Sequence, residues 1–212
     1  VDPLFPGEPT EQWFDQMLGW LKKWFNVLPL DEALDRARKS TLPSRAAAIT
    51  FDDGYADNYQ IALPILKKHG LSATFFVATG YLDGGRMWND TIVESIRNSR
   101  LNTLDLSKSK AFSSSQSNIF SIGSLSEKRV AIETILGKVK YLQPSDRETE
   151  IALIAEQIGT NLPSDLMMTS EQIIEMHRSG MLIGAHTMTH PILANLQAAE
   201  VRAEISGSKR YL

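Results

Sequence analysis

Apolar residues recur along the chain with two periods, and the switches between them lay out its elements. Over residues 10–25, Trp13, Phe14, Met17, Leu18, Leu21, Trp24 and Phe25 fall at i, i+3 and i+4 spacing, which predicts a helix with a core-facing aromatic stripe. Residues 27–30 make a short strand at best, and Asp31 offers an N-cap for a helix to about Arg38. The run Ala46-Ala47-Ala48-Ile49-Thr50-Phe51 reads as one buried strand, closed abruptly by Asp52-Asp53-Gly54. Asp57 or Asn58 can cap the next helix, which stops at His69 before Gly70, and Pro64 inside it predicts a kink or a late start. A strand over residues 72–77 follows, then a helix from Asn89 or Asp90 to about Ser99. Strand, helix, strand, helix with short connections predicts parallel strands covered by helices.

Residues 100–125 break this rhythm. Two short β-like runs, 103–106 and 118–122, suggest a hairpin within a serine-rich excursion, and the serine run at 113–117 reads as a loop rather than a nucleophile or phosphorylation site. Ser124-x-x-Glu127 and Ser145-x-x-Glu148 read as capping boxes for helices reaching Leu142 and about Ile158. Thr169-x-x-Gln172 caps a further helix that ends at Arg178-Ser179-Gly180. A strand over residues 181–185 runs straight into His186-Thr187-Met188-Thr189-His190-Pro191, and a last helix covers residues 198–211. The expected organisation is a single domain over residues 1–212 with an insertion at about 100–165.

Composition narrows the function classes. The 212 residues, 42% of them hydrophobic, suffice for one globular domain with a substantial core. A net charge of -3 offers no broad basic face to nucleic acid. The absence of cysteine excludes disulfides, thiolate metal sites and thiol nucleophiles. No apolar run approaches the roughly 20 residues of a membrane span, and no secretory leader is visible. The compartment stays open between cytoplasm and cell envelope. Val1 in place of Met marks a processed chain or a fragment.

The chemistry gathers at two strand ends. Asp52 and Asp53 are costly at the mouth of a buried strand unless a cation or hydrogen bonds accept them. His186 and His190 follow another predicted strand. If both strands are parallel members of one sheet or barrel, both pairs open on the C-terminal rim, where α/β proteins place their sites. Two imidazoles and one carboxylate suit Zn²⁺ or a similar divalent metal, with positions left for water and substrate. Pro191 disfavours the helical region for His190, so the two histidines belong to a loop or helix end. One aspartate can hold the metal while its neighbour stays free as a base. His69 and His177 precede glycines at predicted helix C-termini, on the opposite rim, and read as favourable contacts with the helix dipole. Asp57 reads as a cap, and Lys67 and Lys68 as a solvated helix end.

These residues carry a resemblance. Thr50-Phe51-Asp52-Asp53-Gly54 and His186-Thr187-Met188-Thr189-His190 resemble the first two motifs of the polysaccharide deacetylases, the NodB-homology carbohydrate esterases. Ala73-Thr74-Phe75-Phe76-Val77 after Lys68-His69-Gly70 resembles the family's second strand, and Gly180-Met181-Leu182-Ile183-Gly184-Ala185 resembles its approach to the histidine motif. The likeness covers about residues 45–100 and 165–212. It implies a distorted or partial (β/α) barrel of fewer strands than the usual eight, with a helical insertion. It also implies metal-dependent hydrolysis of an N-acetyl, less often O-acetyl, group from a glycan. Asp53, His186 and His190 would bind the metal, with Zn²⁺ expected and Co²⁺ or Ni²⁺ as alternatives. Asp52 would be the general base toward the metal-activated water. Tyr55, Trp88 and Asn89, from loops after strands, would line a sugar groove, although Trp88 fits a core plug at a helix start equally well.

The family pattern continues past its histidine motif with an arginine, a Tyr-Pro or similar segment and a further histidine that serves as general acid. None has a counterpart before Leu212, and the family's opening strand is also missing upstream. From this, weak or absent deacetylase activity is expected of the 212 residues alone, and open sheet edges would favour a homo-oligomer. The alternative from another class is a catalytically incomplete glycan-binding or assembly module that retains the metal site. A metal-dependent phosphoryl-transfer domain ranks lower, because no phosphate-cradling glycine loop is present.

Overall fold

In the computed structural model, residues 2–112 and 118–212 are described, and the serine run at 113–117 lies outside them. The chain divides into two compact units, one of Pro9–Gly85 with Ser164–Leu212 and the other of Val1–Glu8 with Arg86–Pro163. Along the first part of the chain the elements are α1 (Glu11–Trp24), β1 (Asn26–Val27), α2 (Leu30–Arg38), β2 (Ala46–Ala47) and β3 (Thr50–Phe51). A π-helical turn, Asn58–Ala62, then runs into α3 (Leu63–His69), followed by β4 (Thr74–Val77) and a 3₁₀ turn, Thr79–Tyr81. The middle supplies α4 (Trp88–Asn98), β5 (Thr103–Asp105), β6 (Ile119–Ser121), α5 (Leu125–Val139) and α6 (Pro144–Ile158). The chain closes with α7 (Ser170–Arg178), β7 (Leu182–Ala185), a 3₁₀ turn at Leu193–Asn195 and α8 (Ala198–Tyr211).

The unit containing β4 is built on a three-stranded parallel sheet in the order β3-β4-β7. Phe75 and Val77 of β4 are fully buried, and Phe51 of β3 stacks on Phe75 with ring centroids 4.6 Å apart. Helices α3 and α7 cover the sheet through Leu66, Ile173 and Met176. The expected parallel strands with covering helices therefore form, and the architecture is mixed α/β. No closed barrel forms among the described residues. The strands are two to four residues long, and β1 and β2 make a separate parallel pair instead of extending the sheet. Closure requires every edge strand to find a neighbour.

Several local expectations change on folding. The run 46–51 is not one buried strand. It pairs with β1 through Ala46 and Ala47, then switches partner, with Ile49 O accepting from Thr74 N at 3.0 Å. Ala48 and Thr50 are exposed. The stripe on α1 is only half core-facing. Leu18 is buried and Phe14 and Leu21 pack on the core, whereas Trp13, Trp24 and Phe25 are 48%, 48% and 43% exposed. Residues seven and four apart place Trp13, Trp20 and Trp24 in one row beside the buried row, and Trp20 stacks on Trp24 at 6.2 Å. Pro64 is accommodated by the wide turn before it: Leu63 N donates to Asn58 O, five residues back, which moves the carbonyl that the proline ring would otherwise meet. Asp57 caps nothing and accepts from the Asn58 amide at 3.0 Å. α2 starts two residues earlier than read, with Pro29 in the capping position and Asp31 inside the first turn, accepting from Glu32 N at 2.8 Å. Ser145 lies inside α6, whose N-cap is Gln143 without a side-chain bond.

The other unit packs α4 against α5 and α6 around Ile92, Ile96, Ile135 and Ile154. Its two short β runs do form an antiparallel pair, β5 with β6. α5 opens with the expected reciprocal cap between Ser124 and Glu127. Buried Glu150 holds the segment after β5, accepting from Lys110 N at 2.9 Å, Ala111 N at 3.2 Å and the Ser109 hydroxyl. The lead-in is tied down by Asp2, whose carboxylate takes two bonds from Arg97 at 2.9 and 2.6 Å, and that guanidinium holds the Asp2 carboxyl below its ordinary range. No described helix is long and apolar enough to cross a membrane.

Asp83 fastens the loop after β4 to the start of α7. Its carboxylate accepts from Ser170 N at 2.7 Å and Ser170 Oγ at 2.6 Å, and these bonds hold its carboxyl below the ordinary 3.8. A depressed carboxyl contributes stability that is fully present above its unfolded pKa and lost as pH falls through the folded one. Asp83→Ala is therefore expected to lower stability at neutral pH, with the gap to the wild type closing below about pH 3.8. Urea unfolding midpoints across a pH series measure it.

Candidate metal centre

The single peptide group that joins Val77 to Ala78, at the end of β4, positions both the aspartate turn and the histidine segment. Val77 O accepts from His186 N at 2.9 Å on one side, and Ala78 N donates to Asp53 O at 2.9 Å on the other. Because β3 and β7 both run parallel to β4, Asp52-Asp53 and His186 leave the sheet at the same end. The turn after β3 doubles back through Asp53 at φ 72° and Gly54 at φ 92°. Aspartate tolerates the left-handed region, and glycine adopts it freely. Gly54 is also required sterically, since a Cβ there would lie 2.5 Å from Val77 Cγ1. Residues 166–168 brace the turn: Ala56 N donates to Leu166 O at 2.8 Å and Met168 N to Gly54 O at 3.0 Å, with Tyr55 bridged to Met167. The sequence reading missed this pairing, because three residues carry no legible period.

The histidine loop is held from three directions. Thr187 and His190 have φ of 64° and 50°, which confirms a loop rather than a helix. Within the loop, Thr187 Oγ1 accepts from His190 N at 3.1 Å. From the 3₁₀ turn, Thr79 N donates to Thr187 O at 3.2 Å, Gly80 N to Met188 O at 2.8 Å and the Tyr81 hydroxyl to Thr189 O at 2.8 Å. From α8, Glu204 accepts from Met188 N, Thr189 N and the Thr189 hydroxyl. Glu204 was not singled out in the sequence. An acid on a helix face gives no local signal of such a role.

Asp53, His186 and His190 are brought together, with one ligand atom from each within 4.8 Å of the others. Asp53 Oδ1 lies 3.5 Å from His186 Nε2 and 3.3 Å from His190 Nε2. Ligands about 2.0–2.2 Å from one tetrahedral ion stand roughly 3.3–3.6 Å apart, so the observed separations fit co-ligands of a single small cation. All three side chains are partly exposed, which leaves an approach for solvent and substrate. A cleft of about 300 Å³ adjoins the two histidines, walled by Pro191, Leu193 and Ile205.

Asp52 is exposed and is not a member of this cluster; its carbonyl accepts from Gly54 N at 2.9 Å. Tyr55 is half-buried one residue beyond Gly54. Trp88 and Asn89 belong to the other unit. There Trp88 packs on the core with the Arg147 guanidinium 4.8 Å from its ring, and the Asn89 amide donates to Asp90 at 3.4 Å. His69 and His177 both lie in the last turns of their helices, α3 and α7, ahead of the strands that follow. His69 Nε2 faces Asp15 Oδ1 at 2.7 Å.

The family profile for polysaccharide deacetylase matches residues 39–104 and 125–212, well over half of the chain. YxkH of Bacillus subtilis (strain 168), named as a polysaccharide deacetylase, is 38% identical over 66 residues, 30% of this chain and 24% of that protein. The poly-beta-1,6-N-acetyl-D-glucosamine N-deacetylase of Staphylococcus aureus (strain MSSA476) is 36% identical over 74 residues, 34% of this chain and 26% of that protein. The matched stretch thus spans about a quarter of the length of these curated relatives. Among solved structures, the Streptococcus pyogenes deacetylase PplD in complex with acetate superposes with a TM-score of 0.56 at 20% identity, over 100% of this chain and 62% of that one. At that identity the superposition shows a shared fold.

Gly54 ties the site to the core. Gly54→Ala must displace Val77 or abandon the positive φ. The expected cost is about 1–3 kcal/mol, read as a lower urea midpoint with an unchanged slope.

Proposed function

Because the chain belongs to the polysaccharide deacetylase family, we propose that it forms the metal-binding part of a hydrolase that removes N-acetyl, or less often O-acetyl, groups from a glycan. The convergence of Asp53, His186 and His190 beside exposed Asp52 supports this reading. The three residues would hold a divalent cation, with Zn²⁺ the best match and Co²⁺ or Ni²⁺ also suited to two imidazoles and a carboxylate. Such a cation supplies Lewis acidity toward the acetyl carbonyl and toward water. In this reading the chain retains the rim of a partial (β/α) barrel, with the middle unit as an elaboration between β4 and β7.

The placement of the protein groups supports a role for each. Asp52 is the base: its carboxylate takes a proton from water as oxygen attacks the acetyl carbon. It suits that task because it is exposed and stands outside the ligand cluster. Asp53 is held by the Ala78 amide and turned by its left-handed backbone, so it serves as ligand rather than base. The cleft beside Pro191, Leu193 and Ile205 is apolar enough to accept the acetyl methyl. Tyr55 is the best placed of the three candidate sugar contacts, being next to Gly54 in the chain. Trp88 already has Arg147 and a core to pack against, which favours its structural role. An N-acetylated β-1,6-linked glucosamine polymer, the substrate in the staphylococcal relative's name, is the first glycan to test.

The intact protein is expected to release acetate from acetylated β-1,6-glucosamine oligomers, and to lose that activity with a chelator. Asp52→Asn should lower kcat by roughly 10²–10⁴-fold with cation affinity unchanged. His186→Ala and His190→Ala should lose both. Cation-dependent glycan binding without any acetate release would overturn the enzymatic reading and favour a non-catalytic binding module.

A further inference from the structure

The loop between the two histidines has three residues, and Thr187 and His190 both adopt positive φ. Such backbone persists only where the surroundings over-determine it. On one face the 3₁₀ turn takes up the loop's carbonyls, those of Thr187, Met188 and Thr189. On the other face its donors converge on one carboxylate. Glu204 Oε2 accepts from Met188 N at 2.7 Å and from Thr189 N at 2.9 Å, and Oε1 accepts from Thr189 Oγ1 at 2.7 Å. Glu204 is itself fixed by close packing of α8 on the same loop. A Cβ on Gly207 would lie 2.3 Å from Met188 Sδ, and the buried hydroxyls of Thr79 and Ser208 are 3.1 Å apart. One turn of α8, from Glu204 to Ser208, is therefore seated on the segment that separates the two imidazoles.

We propose that Glu204 is a positioning residue: through its three hydrogen bonds to Met188 and Thr189 it sets the spacing of His186 and His190, and with it the affinity of the site for a divalent cation. This rests on the reading of Asp53, His186 and His190 as cation ligands. The contribution is one of hydrogen-bond geometry, not charge. A glutamine keeps the accepting oxygen for both amides, and its NH₂ can donate to the Thr189 hydroxyl.

Zn²⁺ affinity, measured by competition with a chromophoric chelator, and the Co²⁺ absorption spectrum test this without an activity assay. Outer-shell partners of metal ligands are typically worth about 10–100-fold in affinity. Glu204→Ala is expected to weaken Zn²⁺ by about tenfold or more and to alter the Co²⁺ spectrum. Glu204→Gln is expected to stay within about threefold of the wild type and keep its spectrum, because the bonds persist. Wild-type affinity in Glu204→Ala, or a loss in Glu204→Gln equal to that in Glu204→Ala, overturns the proposal. Thr189→Val removes one of the three bonds and leaves α8 untouched, so it carries the test if Glu204→Ala does not fold; wild-type affinity there also overturns it. His186→Ala separates the two levels. A wild type that binds no Zn²⁺ overturns the metal-site reading and this proposal with it. A wild type whose binding is lost in His186→Ala but kept in Glu204→Ala overturns this proposal alone.

Discussion

One peptide group at the end of β4, between Val77 and Ala78, holds the candidate centre in place. The Val77 carbonyl and the Ala78 amide each face a different neighbour, so Asp53 and His186 are positioned by adjacent atoms of one strand. That strand is the best-anchored part of its unit, with Phe75 and Val77 fully buried and a parallel partner on each side. A one-residue slip of either partner would turn its side chains to the other face and break up the Asp53, His186 and His190 cluster. Val77 also presses on Gly54, the pivot of the aspartate turn. Core packing and site geometry thus share the same atoms, and neither can be altered alone.

What was legible in the sequence was local or was carried by motifs. The reciprocal caps at Ser124 and Thr169 and the limits of α8 follow from short-range chemistry that does not depend on the rest of the fold. Asp53, His186 and His190 stood out because polar and charged groups at the ends of apolar runs need an explanation. Illegible features are those decided by distant partners. The run 46–51 splits because its two halves pair with different strands, and the outer row of α1 stays exposed because only the row of Phe14, Leu18 and Leu21 meets the core. Glu204 escaped notice for the same reason. In sequence it is one acid on a polar helix, and only the fold brings loop amides to it.

The site is also where local conformational preference is overruled. Asp53, Thr187 and His190 all occupy the left-handed region, at an order of 1–3 kcal/mol each. The cost is steepest for Thr187, whose branched Cβ crowds that conformation. A sequence free of functional demands would place glycine at such positions. Their clustering at the candidate centre matches the general pattern that proteins break local rules at functional sites and compensate nearby. Here the compensation is the hydrogen-bonding around the histidine loop.

The order of the elements along the chain has a kinetic meaning. β4 and β7 are neighbours in the sheet, yet the whole of Arg86–Pro163 lies between them in sequence. Closing so long a loop adds little to its equilibrium cost, about 0.6 kcal/mol per doubling of length. It weighs more on time, because non-local parallel pairing is slow to form and chains emerge N-terminus first. The Asp53 turn can be made while the histidines are still unsynthesised, and a lone carboxylate makes a poor trap for a transition-metal ion. In the proposed reading, capture of a cation is a late event in biogenesis, coupled to the docking of β7, so that metal uptake would report completed folding of this unit.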